Sequence, residues 1–203
     1  QGEALRELQQ HAEALVPLLE RLMAEAGRAL SDLDALGVGV GPGNFTGIRI
    51  AVATARGLAL ALGGPALGVS TFEMMRTGAA PTGLELVSVP APRETAYVQL
   101  FRAGRAEGAP RLVDPAAPPA DLSLPVGCRV TGHRAVEIAK ALGTETIGEP
   151  PFGAALDDIP FRLGRVAASR WRAGERGEVR PAPVYVRPPD AAPPADPPSL
   201  LLP

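Results

Sequence analysis

Backbone chemistry is concentrated in one stretch of this chain, Gly41-Pro42-Gly43-Asn44-Phe45-Thr46-Gly47. Glycines let backbone N–H groups approach a phosphate, and a helix starting behind them adds unpaired donors and the positive end of its dipole. A P-loop places Lys and Ser/Thr directly after its last glycine; here Ile48-Arg49 follows Gly47, and Lys140 is the only lysine. A dinucleotide fingerprint has two residues between its second and third glycines. Gly43 and Gly47 are separated by three, and Pro42 removes a donor. A tight strand-to-helix turn is therefore favoured over a nucleotide cradle.

Other reactive side chains are few. His11 and His133 are the only histidines, and neither sits in an H-x-x-x-H pair. His11 is expected near a helix start, and His133 as a cap on the helix that follows it. Cys128 stands alone, so neither a disulfide nor a thiolate metal cluster is expected, and a reducing, cytoplasmic setting is. Ser70 lacks a G-x-S-x-G elbow. In Ser70-Thr71-Phe72-Glu73 it has the spacing of a capping box. Asp157-Asp158 and Glu73 have no partner acid at helical spacing. No nucleophile is assembled with a base, and catalysis by this chain alone is not expected.

These residues need elements to hold them. The chain has 203 residues, 46% of them apolar but only 4% aromatic, so its core must be built from Ala, Val, Leu and Gly. A net charge of −2 supplies no overall basic field for nucleic acid. The stretch Ile48–Leu62 is the longest apolar run; it contains Arg49 and Arg56 and falls short of the roughly 20 residues that span a bilayer. A core or interface helix is expected there.

Gly2–Leu8 is expected to close a strand, and His11–Ala26 to form a helix with Leu15, Leu19, Leu22 and Ala26 on one face. Pro17 should delay or kink it, and Gly27 should end it. Ser31–Asp34 reads as a turn, Leu36–Val40 as a buried strand, Thr46–Leu62 as a helix, Ala66–Val69 as a second strand, and Ser70 as the start of another helix. That order indicates an α/β layout with parallel pairing. Pro81–Gly83 marks a boundary, after which Leu84–Val89 and Thr95–Arg102 alternate like antiparallel strands. Ala106–Pro125 is Pro/Ala-rich and poorly periodic; a strand at Val126–Thr131 and helices at Arg134–Leu142 and Leu156–Arg172 follow. Val184–Val186 is a candidate edge segment in a proline-rich end. The expected units are 1–80, 81–180 and a tail, 181–203.

On the helix after the glycine loop, Gly47, Ala51, Ala55 and Ala59 form one row of small residues and Ala53, Gly57 and Ala61 a neighbouring one. Such rows permit close approach of another helix or a sheet. One row must serve the chain's own sheet; the other, with the helix at His11–Ala26, is expected to face a partner. Arg49 and Arg56, two turns apart, could pair with the partner's carboxylates. The candidate interface set is Leu15, Leu19, Leu22, Gly47, Ala51, Ala55, Arg49 and Arg56.

Three blocks carry a family resemblance: His11-Ala12-Glu13-Ala14-Leu15-Val16-Pro17-Leu18-Leu19, Gly41-Pro42-Gly43-Asn44-Phe45-Thr46-Gly47-Ile48-Arg49 and Gly68-Val69-Ser70-Thr71-Phe72-Glu73. In order and spacing they resemble the TsaB (YeaZ) family over about residues 8–75, and Pro181-Ala182-Pro183-Val184-Tyr185-Val186-Arg187 resembles its P-x-P-x-Y-[LV]-R ending. The resemblance implies an actin/sugar-kinase/Hsp70-like, ribonuclease H-like two-domain fold. It implies a non-catalytic subunit that binds TsaD and acts with TsaE. Together they transfer the threonylcarbamoyl group made by TsaC to adenosine 37 of tRNAs reading codons that begin with A. It further implies self-pairing through the same helices, tRNA contact only within the complex, no membrane, and no cofactor of its own, ATP or ADP being expected on TsaD or at the joint. The alternative is a nucleotide-dependent enzyme of the same superfamily, a phosphotransferase or a glycoprotease-like hydrolase.

Two departures stand out. Family members open with an Asp-Thr-Ser-type strand and a second strand, whereas this chain starts at about the third, so the first sheet is expected to lack two strands. In Val89-Pro90-Ala91-Pro92-Arg93-Glu94-Thr95-Ala96-Tyr97, Pro90 replaces the Asp of the family's D-A-R-[RK]-x-E-[VA]-Y.

Overall fold

A computed structural model describes residues 2–76, 83–146 and 158–186. Helix α1 spans Gly2–Glu25, and a single 3-10 turn, Leu30–Asp32, leads into strand β1, Leu36–Gly41. Helix α2, Phe45–Leu62, strand β2, Ala66–Ser70, and the short helix α3, Thr71–Met75, follow. Strands β3 (Leu84–Pro90), β4 (Ala96–Arg102), β5 (Arg105–Val113) and β6 (Arg129–Gly132) come next. Helix α4, Ala135–Leu142, strand β7, Glu145–Thr146, and helix α5, Ile159–Arg172, complete the described elements.

The expected strand at Gly2–Leu8 is instead the first part of α1. Glu3, Ala4, Leu5, Arg6 and Gln9 are strong helix formers, and no alternation opposes them. Pro17 lies inside the helix without ending it; its missing N–H removes one ladder bond. His11 consequently falls within α1 rather than at its start. Gly27, at φ 66°, closes the helix as expected: its N–H donates to Ala24 O, and the Arg28 N–H donates to Met23 O.

β1 and β2 pair in parallel, Leu36 opposite Ala66 through Gly39 opposite Val69. One face of this pair packs on α2, where Val38, Val40 and Ala66 meet Val52 and Ala55. Its other face packs on α5: a Cβ at Gly37 would lie 2.8 Å from Ala167 Cβ, so only glycine admits the helix so closely. The last described helix therefore returns to the first sheet, in a cluster whose buried members are Val69, Met74 and Ala167.

The second sheet has the order β5-β4-β3-β6-β7. β3 runs antiparallel to β4, to which a hairpin joins it, and parallel to β6; β6 in turn runs parallel to β7, with α4 as the crossover between them. α4 covers one face through Ala135, Ile138 and Ala139 against Leu86, Val98 and Val130. α3 covers the other, with Phe72 and Met75 against Val87, Val89 and Phe101. The stretch expected to be irregular, Ala106–Pro125, contributes most of β5. This strand is largely exposed, so it shows no apolar alternation, and Pro110, which cannot donate, is tolerated on an edge. Its register against β4 shifts between Val98 and Leu100. The Gln99 side-chain amide fills that bulge by donating to Leu100 O, Glu107 O and Gly108 O.

Two further expectations change. The N-cap position of α4 is Arg134, at φ 51°, not His133, whose backbone N–H donates to Ser88 O. Val184–Val186 forms no strand, although the Val184 N–H donates to Val40 O at 2.8 Å. Of the expected boundary at Pro81–Gly83 only Gly83 is described; the start of the last helix at Leu156 and the tail from Arg187 lie outside the described residues.

Candidate partner interface

The glycine loop is closed on itself. Asn44 is the N-cap of α2, its Oδ1 accepting the Gly47 N–H at 2.9 Å, and the Ile48 N–H donates to Asn44 O. One of the donors an anion would use, the Gly47 N–H, is thus occupied, while the Ile48 bond opens the helix's own ladder. Gly41, at φ 90°, turns the chain under Ile48, whose Cδ1 would lie 2.6 Å from any Cβ there. Thr71 Oγ1 donates to Pro42 O at 2.8 Å, tying the loop to α3. The loop orients α2; Thr46 is partly exposed and Gly43 exposed at its rim.

Behind the loop, Arg49 is organised by aromatic rings. Its guanidinium lies 3.8 Å from the Phe45 ring centroid and 5.6 Å from that of Tyr185, and its Nε donates to Tyr185 Oη at 2.8 Å. The contact links the start of α2 to the segment after α5. A planar cation stacked on one ring and bonded to the other's hydroxyl has little side-chain freedom left to lose when a partner binds. Arg56 stands exposed further along the helix.

The structure separates the two small-residue rows. Ala55 is buried, and Ala51 and Ala59 pack beside it on the β1–β2 core. Ala51 and Ala55 are therefore internal packing residues and leave the candidate interface set; a bulky residue at Ala55 would test folding. Ala53, Gly57 and Ala61 are exposed. A Cβ at Gly57 would meet nothing within 4 Å, and Leu60 is 86% exposed. Among the described helices, α2 alone is long and apolar enough to cross a membrane by length and composition; here that apolarity is divided between the sheet and this open face.

α1 touches α2 and adds to the same uncovered surface. None of its side chains from Glu13 to Glu25 is buried. Leu15 and Leu19 are half-buried, while Leu18 is 41% and Leu22 49% exposed. Gly47 is exposed at the start of α2. The structure thus gathers Leu15, Leu19, Leu22, Gly47, Arg49 and Arg56 on α1 and the solvent-facing part of α2. Leu18, Ala53, Gly57 and Leu60 were missing from the candidate set. Their helical spacing could have pointed to them, but both α2 rows consist of small residues and give the same signal.

A second feature, a cleft of about 700 Å³ between the two sheets, is lined in part by Ser70, Glu73, Gln99, Arg105, Arg170 and Glu175. Its polar groups are largely engaged with one another. Glu73 Oε2 accepts the Ser70 N–H at 2.8 Å and Ser70 Oγ accepts the Glu73 N–H at 3.2 Å, as the capping box predicts; the Ser70 hydroxyl also donates to Glu73 Oε2. Arg170 donates to Glu73 Oε1, to Gly68 O and to both oxygens of Glu175. The Arg170 guanidinium holds the Glu175 carboxyl below its ordinary range. Cys128 lies buried in the other core, where burial pushes its thiol up and away from reactivity.

These features can be set beside known proteins. The sequence model of the TsaD family, described as tRNA N6-adenosine threonylcarbamoyltransferase, matches residues 7–111, which places the chain in the TsaD-related class. The tRNA threonylcarbamoyladenosine biosynthesis protein TsaB of Escherichia coli is 41% identical over 70 residues, 34% of this chain and 30% of that protein. An uncharacterized protein of Mycobacterium tuberculosis is 32% identical over 189 residues, 90% of this chain and 78% of its own length. YeaZ from Pseudomonas aeruginosa superposes with a TM-score of 0.60 at 27% identity, over 86% of this chain and 84% of that one. The chain belongs to the TsaB (YeaZ) family. Its alignment spans under a third of the length of Escherichia coli TsaB.

Proposed function

We propose that this chain is a non-catalytic subunit that docks a TsaD-type partner on the open face of α1 and α2, in the formation of threonylcarbamoyladenosine on tRNA. The single observation that carries the reading is that uncovered face: Leu18 and Leu22 on α1, with Ala53, Gly57 and Leu60 on α2. Small residues let a partner helix approach closely, and the flanking leucines supply the apolar area. The names of the relatives supply the pathway, and a glycine loop with no following lysine and its Gly47 N–H taken by Asn44 supports placing chemistry on the partner. In this reading the two sheets are the halves of an actin/sugar-kinase/Hsp70-like fold. ATP or ADP resides on the TsaD-type subunit or at the joint, TsaE joins the pair, and a second copy of this chain can use the same face in the partner's absence.

Gly57→Arg tests the reading cleanly, because the free chain has room for the side chain and arginine is the better helix former, by somewhat less than the ~1 kcal/mol that separates glycine from alanine. Co-purification with the TsaD-type subunit should be lost while the melting temperature is unchanged or raised. A variant that still forms the complex at wild-type affinity would remove α2 from the interface. The competing reading, a nucleotide-dependent enzyme, draws on the glycine loop and the superfamily relation. Titration calorimetry with ATP and Mg²⁺ separates the two: low-micromolar binding by the isolated chain, abolished by Gly43→Asp, would favour the enzyme.

A further inference from the structure

The net charge of −2 conceals a strong local asymmetry. Residues 159–180 contain six arginines, Arg162, Arg165, Arg170, Arg172, Arg176 and Arg180, against two glutamates, Glu175 and Glu178. Two of the six are committed internally: Arg162 pairs with Asp158, and Arg170 with Glu73 and Glu175. Arg165 and Arg172 are exposed, seven residues apart on the outer face of α5, about 10 Å along its axis at 1.5 Å per residue. Neither has a carboxylate partner among the described residues. Arg176 continues the stripe, its guanidinium stacked 3.9 Å from the Trp171 ring and held by Trp171 O. At the other end Phe161 is 63% exposed, with Arg165 over its ring at 5.8 Å. Exposed cations interleaved with aromatic rings complement a phosphate backbone; one acid stands beside the stripe, Glu178, whose carboxylate accepts the Arg176 backbone N–H at 3.2 Å.

We infer that the outer face of α5 is a phosphate-backbone contact for RNA, formed by Arg165, Arg172 and Arg176. Choosing RNA over another polyanion rests on the proposed role in tRNA modification; the cationic stripe itself does not. The position suits simultaneous use. α5 packs on the face of the β1–β2 pair that carries Gly37, whereas α2 packs on the face that carries Val38 and Val40. A subunit docked on α2 therefore leaves α5 open. Three arginines cannot offset the negative charge elsewhere in the chain, so its RNA affinity alone should be weak and become useful only when added to a partner's contacts.

The test compares wild type with Arg165→Gln/Arg172→Gln, both as the complex with the TsaD-type subunit and as the chain alone. Anisotropy of a labelled tRNA reading an A-initial codon is measured between 50 and 200 mM salt. The expected result is a log–log salt slope shallower by about 1.4–1.8, since each phosphate that is no longer neutralised removes roughly 0.7–0.9 from it. Subunit assembly and melting temperature should not change, because both side chains are exposed. An unchanged slope in both forms overturns the inference. A variant that loses subunit assembly but keeps its slope also overturns it, assigning the stripe to an acidic protein surface. Should wild type not assemble at all, the docking proposal fails, and the slope for the chain alone still decides this one.

Discussion

Asn44 does with one side chain what a bound anion would do at the start of α2: its Oδ1 takes the Gly47 N–H at 2.9 Å. Asn44→Ala should cost about 1 kcal/mol, the usual value of an N-cap, and lower the melting temperature by roughly 2–4 °C for a chain of this size. Gly132 makes a sharper prediction. At φ 100° at the end of β6, a Cβ there would lie 2.0 Å from Ser88 O, a backbone atom of the paired strand. Gly132→Ala should therefore prevent β3 and β6 from pairing, and the purified variant should lose the cooperative melt of the second sheet. Charge adds a pH dependence at Glu175, whose carboxyl is held below its ordinary value of 4.5, chiefly by hydrogen bonds from Arg170 and then by its charge. A group with a lowered folded pKa stabilises the fold above the unfolded value, and that stabilisation is lost as pH falls through the folded one. Glu175→Gln should flatten the decline in stability below about pH 4.5, measured by urea melts on both proteins.

Among the elements, those whose apolar side chains are buried were legible. Leu36–Val40, Ala66–Val69, Leu84–Val89 and Thr95–Arg102 appear as strands within a residue or two. Ser70 and Glu73 announce α3, since a capping box is local chemistry. β5 was hidden because an edge strand of Arg, Ala, Glu, Gly and Pro buries almost nothing and is held by pairing with β4 and by Gln99. The orientation of α2 was hidden for another reason: Ala55 and Ala53 are chemically alike, and only the position of β1 makes one internal and the other exposed. That difference can be measured. Ala55→Leu should destabilise the free chain by about 1–3 kcal/mol through overpacking, whereas Ala53→Leu should leave its denaturant midpoint nearly unchanged and weaken only partner binding.

At the scale of the whole molecule, the two sheets are joined by contacts that no local pattern announces. α5 begins more than a hundred residues after β1 yet packs against Gly37, and Arg170 reaches back to Gly68 O and Glu73. One guanidinium thus ties β2, α3, α5 and the turn after α5. Arg76 makes a second tie, from the end of α3 to Glu85 at 2.9 Å and to Gly104 O on the second sheet. Ties at the middle and at the end of α3 leave that helix little freedom to rotate. Removing Arg170 should leave each sheet's own hydrogen bonds intact while freeing α5 from the end of β2. Arg170→Ala should cost about 2–3 kcal/mol, since charge-assisted bonds to Glu73 and Glu175 disappear together and Gly68 O is left without its donor. Arg170→Lys should recover only part of this, because an ammonium cannot make the paired bonds to both oxygens of Glu175 while also reaching Gly68 and Glu73. Hydrogen exchange distinguishes a latch from a uniform loss. Faster exchange confined to α5 and α3, with β3, β4 and β6 still protected, is the expected pattern; equal acceleration across both sheets would show that Arg170 supports the fold as one cooperative unit.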